Sequence, residues 1–242
     1  VRSLRDSGLP VVFLPGVIHL PTVPAHRKRN RIDLGTADKL CVAALALAQH
    51  DRDEPALVAE FGSAFTALVV LKGRQIVDGL GGTCGPLGGQ SGGAWDGETA
   101  YLLSPLRKAD LFRGGAADGP DRDPAAFCES FVKAVAGLAH VHGFRDVYAG
   151  GALMRTHPDL TGAALAGLPG HGYRVHETSD LAGAWVKHAA QGAALVADGL
   201  CGGALAPLVG HLNLRGARGT VLDGLTLPRA AEVRAWFGER GA

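Results

Sequence analysis

Residues 60–66 read Glu-Phe-Gly-Ser-Ala-Phe-Thr, and they stand between two apolar runs. Ala56-Leu57-Val58-Ala59 precedes them. Ala67-Leu68-Val69-Val70-Leu71 follows, then Lys72-Gly73-Arg74 and Gln75-Ile76-Val77-Asp78-Gly79. The pattern predicts a strand, a tight turn of small residues, a second strand, a Lys-Gly hairpin turn and a third strand. An acidic residue ends the first strand, and Gly62, Ser63 and Thr66 come after it. Backbone N–H groups and small hydroxyls in such a turn can face a phosphate without steric obstruction. Glu60, Gly62, Ser63 and Thr66 are therefore candidate nucleotide-phosphate residues. A plain hairpin turn is the structural alternative.

The chain around this meander has a readable order. Val11–Leu14 is predicted as a short buried strand closed by Pro15-Gly16. Three prolines and the basic run Arg27–Arg31 make residues 15–30 a loop. That run is either a solvated segment or a contact for an anionic substrate. Thr36 is a plausible N-cap for a helix over 41–49, in which Leu40, Ala43, Ala44 and Leu47 supply the helical period. Residues 49–55 (QHDRDEP) mark a domain boundary. After the meander, residues 81–93 hold seven glycines, and a loop this long is usually functional or mobile. It is closed by no Lys-Ser or Lys-Thr pair, so it is not a Walker loop. A helix with Phe127, Phe131, Val132 and Val135 on one side is predicted from Pro124 to about Leu138. Strands are expected at 145–149 and 172–175, with a helix at 154–165 between them. Asp180 is read as the cap of a helix from Leu181 to about Ala197, followed by helices over 201–212 and 228–240. His140 and His142 are placed near a strand. A meander followed by alternating helix and strand argues an α/β fold with a mixed sheet.

Composition excludes several classes. The 242 residues are 47% hydrophobic and 19% charged, enough apolar material for a large core and too much for disorder. A net charge of +1 gives no electrostatic reason to expect nucleic acid. The sequence shows no signal peptide, and its longest apolar runs fall well short of the roughly 20 residues that span a bilayer. Cys41, Cys84, Cys128 and Cys201 have no zinc spacing and fit a reducing cytosol. The histidines form no HExxH.

The order of four segments resembles the acetate and sugar kinase, chaperone ATPase and actin superfamily. These are Glu60–Thr66, Val147–Met154 with its Gly150-Gly151 pair, the small-residue helix Ala189–Ala197, and Arg31–Leu40 leading into a helix. Gly16–Pro24 (GVIHLPTVP), Arg31–Lys39 and Asp78–Glu98 (DGLGGTCGPLGGQSGGAWDGE) are similar to a narrower group. That group is the uncharacterised family labelled predicted butyrate kinase (domain of unknown function 1464). The resemblance implies a ribonuclease-H-like, actin/sugar-kinase-type α/β domain. It also implies ATP with Mg²⁺ as cofactors and a small-molecule, butyrate- or acetate-like acceptor for the phosphoryl group. The cysteines point to a cytoplasmic location, and a homodimer is the default expectation for a soluble enzyme.

In that scheme Glu60–Thr66 matches the second phosphate loop, Gly150 and Gly151 the adenosine motif, and the helix near Gly192 an interdomain connection. Glu60 stands where the family usually has Asp, orienting a water or a Mg²⁺-bound water. Asp38 and Lys39 join Glu60 as candidate catalytic residues. His19, Arg31, Asp33, Thr36, Asp96 and Glu98 are candidate substrate residues. Capping accounts equally well for Thr36 and Asp38, and for Asp96 and Glu98 at a helix start. Kinases of this superfamily carry an earlier phosphate meander, and none precedes Val11. The expectation is thus a missing N-terminal lobe, with residues 1–50 as its remnant and 55–242 as the nucleotide-binding lobe. Two alternatives are a non-catalytic nucleotide-binding or regulatory module and a nucleotide hydrolase of the same fold.

Overall fold

The computed structural model describes residues 2–50, 53–117 and 122–241. Two one-turn helices, α1 (Arg2–Arg5) and α2 (Ala25–Lys28), precede α3 (Ala37–Gln49). The meander is β1 (Ala56–Phe61), β2 (Thr66–Lys72) and β3 (Gln75–Leu80). Then come α4 (Gly97–Leu102), α5 (Pro124–His142), β4 (Asp146–Gly150), α6 (Leu153–Thr156), α7 (Pro158–Ala166) and β5 (Arg174–Glu177). Helices α8 (His188–Leu200), α9 (Ala206–Leu212) and α10 (Ala230–Gly241) complete the order. The strands form one five-stranded sheet, β3-β2-β1-β4-β5. β2 runs antiparallel to β1 and β3, while β4 and β5 extend the sheet in parallel with β1. This mixed sheet has the ribonuclease-H-like arrangement expected from the sequence.

The sheet is covered on both faces, which is why β1 and β2 are near-continuous apolar runs and not alternating ones. The period of two then sorts their side chains. Leu57, Ala59, Phe61, Leu68, Val70, Val147 and Ala149 join Phe127, Phe131 and Val135 of α5 and Leu160 of α7 in one core. Ala56, Val58, Val69, Leu71 and Tyr148 face the other way, against Leu40, Val42 and Ala43 of α3, Val196 of α8 and Leu208 of α9. The same alternation carries Glu60 and Gly150, at the carboxyl ends of β1 and β4, onto the α3/α8 side.

Helix α3 is buried nearly all round, from Leu40 to Leu47, so it needs neighbours on several sides. One neighbour is α8, and Gly192 sets how close it comes. A Cβ added at Gly192 would lie 1.8 Å from the Cys41 carbonyl oxygen. Gly192 therefore serves helix packing.

Several elements depart from the sequence reading. Val11–Leu14 forms no regular element and lies outside the sheet, with Val12 67% and Phe13 56% exposed; apolar composition alone does not make a strand without an edge to join. His140 and His142 lie in α5, which runs a turn past Leu138 to a left-handed Gly143. The helix expected at 154–165 breaks into α6 and α7 at Pro158, where proline has no N–H to continue the ladder. The helix expected from Leu181 starts seven residues later, at His188, and α9 starts at Ala206. The Gly-rich loop packs down closely: Cβ atoms at Gly82 and Gly88 would strike Phe65 and the Ala64 carbonyl oxygen.

Edge strand β5 is tied to β4 through Asp146, which accepts from Arg174 Nε at 2.8 Å, Arg174 Nη2 at 2.5 Å and His176 Nε2 at 2.7 Å. The Arg174 hydrogen bonds, and secondarily His176, hold the Asp146 carboxyl down at about 2 against its burial. A depressed carboxyl stabilises fully above its unfolded value of 3.8 and loses that contribution as pH falls through about 2. Asp146→Asn should therefore be less stable than the parent at neutral pH, with the two unfolding curves converging near pH 2. Gly192→Ala should cost about 3 kcal/mol or more in urea unfolding, because backbone has to separate to admit the methyl.

Candidate functional site

A cleft of about 150 Å³ opens at the carboxyl ends of β1 and β4. The first turn of α3 contributes Asp38 and Lys39, and β1 with its turn contributes Glu60, Gly62 and Ser63. Gly151, Ala152 and Arg155 follow β4, and Lys187, His188 and Ala189 open α8.

Lys39 is the junction of the cleft. Its Nζ lies 2.6 Å from Asp38 Oδ2 and 3.1 Å from Glu60 Oε2. The side chains of Lys39 and Glu60 are each only 14% exposed, whereas Asp38 is 49% exposed. Burial works against the Lys39 charge, but Glu60 and Asp38 outweigh it and hold the ammonium above its ordinary value. Burial pushes the Glu60 carboxyl up, with Lys39 offsetting part of the effect and the Asp38 charge adding to it. Asp38 resists its own burial through hydrogen bonds from Lys39 and Thr36, which bring its carboxyl below the usual range. The group carries two carboxylates around one ammonium.

The glycines of the cleft are demanded by packing. A Cβ at Gly62 would sit 2.9 Å from the Phe65 carbonyl oxygen and 3.1 Å from Glu60 Oε2. Gly151 has φ +124°, and its Cβ would lie 2.3 Å from the Phe61 carbonyl oxygen. A Cβ at Gly150 would lie 2.8 Å from His188 Nδ1. Bare backbone at these positions lets β4 turn away beside β1 and seats His188 against the sheet.

Of the residues singled out from sequence, Asp38, Lys39, Glu60, Gly62, Ser63 and Gly151 converge in the cleft, with Gly150 beside it. Thr66 does not join them: it opens β2 fully buried. The Thr36 hydroxyl reaches the site indirectly, by donating to Asp38. Asp33 accepts the Gly35 N–H at 2.9 Å, and Arg31 is exposed. His19 lines a separate open groove with Phe13, Leu214 and Arg218. Asp96 caps α4, accepting the Glu98 N–H at 2.8 Å, and Glu98 is exposed. None of these five lines the cleft.

The family described as "Protein of unknown function (DUF1464)" matches residues 1–227. The chain belongs to this family. No curated protein matches the chain. Among solved structures it is similar to an acetate kinase from Entamoeba histolytica, at 10% identity and a TM-score of 0.44, over 56% of this chain and 44% of that one. A ROK family protein from Streptococcus pneumoniae, solved with sucrose, matches at 13% identity and 0.42, over 72% and 64%. A ROK hexokinase from Thermus thermophilus matches at 18% and 0.39, over 63% and 61%. The chain thus spans less than two thirds of each of these proteins. Among the described residues, no helix is long and apolar enough to cross a membrane.

Sequence reasoning missed Arg155, Lys187 and His188. Arg155 comes from α6, while the placement of Lys187 and His188 follows from Gln191, which is 2% exposed. Its Oε1 accepts the Leu181 N–H at 2.7 Å, and its Nε2 donates to Asp180 Oδ1 at 2.5 Å and to the Val186 carbonyl at 2.8 Å. The segment 180–187 is thereby folded onto the helix and does not extend it. Removing Lys39 should leave Glu60 enclosed without its cation. Lys39→Met is expected to lose about 3 kcal/mol or more in denaturant unfolding at pH 7, and to regain part of it at pH 5 as Glu60 takes up a proton.

Proposed function

We propose that the protein is an ATP-dependent phosphotransferase whose nucleotide phosphates bind in the cleft between α3, β1 and β4, with a small carboxylic acid as acceptor. The observation that carries this reading is the convergence of the Lys39–Glu60 pair with the Gly62-Ser63 turn and Gly151 in one cleft. The parts come from separate stretches of sequence. Ligands of α/β sheets bind at the carboxyl ends of the strands, and this cleft has that position. The resemblance to acetate and sugar kinases supports the same reading.

Phosphoryl transfer asks for positioning and charge stabilisation more than for covalent chemistry. Lys39 supplies a fixed positive charge at the cleft, held in place by Asp38 and Glu60. Ser63, exposed at the turn, offers a hydroxyl and an N–H to phosphate oxygens. Gly150 and Gly151 bring bare backbone beside the nucleotide. Among the described residues no group of three or more His, Cys, Asp or Glu could hold a metal ion. An all-protein cage for Mg²⁺ does not fit. A hydrated Mg²⁺ carried by the phosphates does, because such ions use one or two carboxylates and keep several waters. Half-exposed Asp38 is the reachable carboxylate. Glu60 Oε2 is enclosed against Lys39, which leaves Oε1 for a metal-bound water. The ion would neutralise phosphate charge.

The proposal also divides the chain, with residues 1–50 closing on α3 and residues 55–242 carrying the sheet. A second lobe closing over the phosphates and a homodimeric assembly belong to the same reading. Calorimetry with Mg·ATP tests it. The protein should bind the nucleotide, and Ser63→Glu, which adds a negative charge at an exposed position, should weaken binding about tenfold or more. No binding by the parent protein, or equal affinity in a folded Ser63→Glu variant, would contradict the assignment.

A further inference from the structure

A groove of about 300 Å³ lies between the segment joining α1 to α2 and the turn after α9. Phe13 and Leu14 line it from one side, Leu214 and Ala217 from the other, and His19 and Arg218 are its two basic side chains. Its volume is that of a site for a small molecule. Phe13 holds a large apolar ring 56% exposed at its edge.

The groove is built on fixed backbone. The Val17 N–H donates to the Gly35 carbonyl at 2.8 Å, and the Arg218 N–H donates to the His19 carbonyl at 3.1 Å. Both basic side chains are tethered as well. His19 Nδ1 meets the Gly16 carbonyl at 3.3 Å, and Arg218 Nε donates to the Gly216 carbonyl at 3.1 Å. Among the described residues, His19 Nε2 and both terminal nitrogens of Arg218 are left without a protein partner. The Asp223 carboxylate stands beside Gly219 at the rim of the groove. It accepts from the Thr220 N–H at 2.9 Å and the Thr220 hydroxyl at 2.6 Å, and so does not neutralise Arg218.

We infer that this groove binds a small monocarboxylate with a short alkyl chain. The carboxylate sits on Arg218 and His19, and the chain lies against Phe13, Leu14, Leu214 and Ala217. A guanidinium with both terminal nitrogens open matches the two oxygens of a carboxylate. Apolar walls on both sides disfavour a sugar or a multiply charged anion, whose polar groups would lose water there without partners. The groove also adjoins the cleft. A Cβ at Gly16 would lie 3.7 Å from His19 Nδ1 and 3.8 Å from Thr36 Cα, and the Thr36 hydroxyl donates to Asp38 of the cleft. The groove is thus placed to hold the acceptor. That role rests on the phosphotransferase reading; the carboxylate chemistry of the groove does not.

The experiment is an NMR titration of the ¹⁵N-labelled full chain with sodium butyrate, with sodium acetate and butylammonium chloride as comparison ligands and Mg·ATP titrated separately. Butyrate should bind at millimolar concentration and move the amide signals of Leu14, Ala217 and Gly219. Acetate, two methylenes shorter, should bind about tenfold more weakly, and butylammonium should not bind. Arg218→Ala should weaken butyrate about tenfold, and Phe13→Ser about fivefold. Both positions are exposed, so the fold should be retained, and the spectrum itself checks this. Neither substitution should change Mg·ATP affinity. Butyrate binding that depends on Arg218, with no Mg·ATP binding by the parent, leaves the groove standing and removes its role as acceptor site. Mg·ATP binding without butyrate binding overturns the groove and leaves the nucleotide reading intact. Equal butyrate affinity in folded Arg218→Ala, or shifts confined to other parts of the chain, also overturns it.

Discussion

The Lys39–Glu60 ion pair is the constraint around which this molecule is arranged. It joins the first turn of α3 to the carboxyl end of β1, with 3.1 Å between charged atoms and both side chains largely withdrawn from water. Taking two charges out of water costs several kcal/mol per ion, and a buried pair recovers this only with good geometry and further polar partners. Asp38 is such a partner for Lys39. Glu60 has less support, and burial accordingly drives its carboxyl up. An apolar pair would fill this junction at lower cost. That a charged one stands there is consistent with a site that handles charge.

Everything around the pair holds α3 where Lys39 can reach. The alternation of β1 puts Glu60 on the same face as Ala56 and Val58, under α3. Gly192 lets α8 close against the Cys41 carbonyl, fixing α3 against it. The start of α8, with Lys187 and His188, also lines the cleft. Gly62 and Gly151 make room for β1 and β4 to end side by side. These glycines shape the cleft by what they permit the backbone to do, and direct contact with a ligand is not needed to explain them.

Much of this was legible in the sequence because it rests on local pattern. The three-strand meander announced itself by apolar runs punctuated at Gly62–Ala64 and at Lys72-Gly73, and its turn does open on the cleft. The pairing of β4 and β5 followed from alternation of helix and strand. The start of α8 was not legible: Asp180 has the chemistry of an N-cap, and only Gln191, eleven residues along and buried, shows that the chain folds back first. Val11–Leu14 failed as a strand for a similar reason, since whether an apolar run pairs depends on a neighbour that no local pattern reveals. The substrate candidates His19, Arg31, Asp96 and Glu98 came from resemblance, and the chain's packing sends them elsewhere. Asp96 went to its structural alternative, a helix cap.

The most direct measurement of the central claim is a double-mutant cycle on Lys39→Met and Glu60→Leu, read by denaturant unfolding. If the buried pair is the junction between α3 and β1, each single variant strands a charge or an apolar mismatch and loses about 3 kcal/mol, while the double variant recovers most of that loss. The coupling would then be large and of the sign expected for a compensated pair. Strictly additive losses would mean that Lys39 and Glu60 act independently, and the account of the cleft built on their pairing would be wrong.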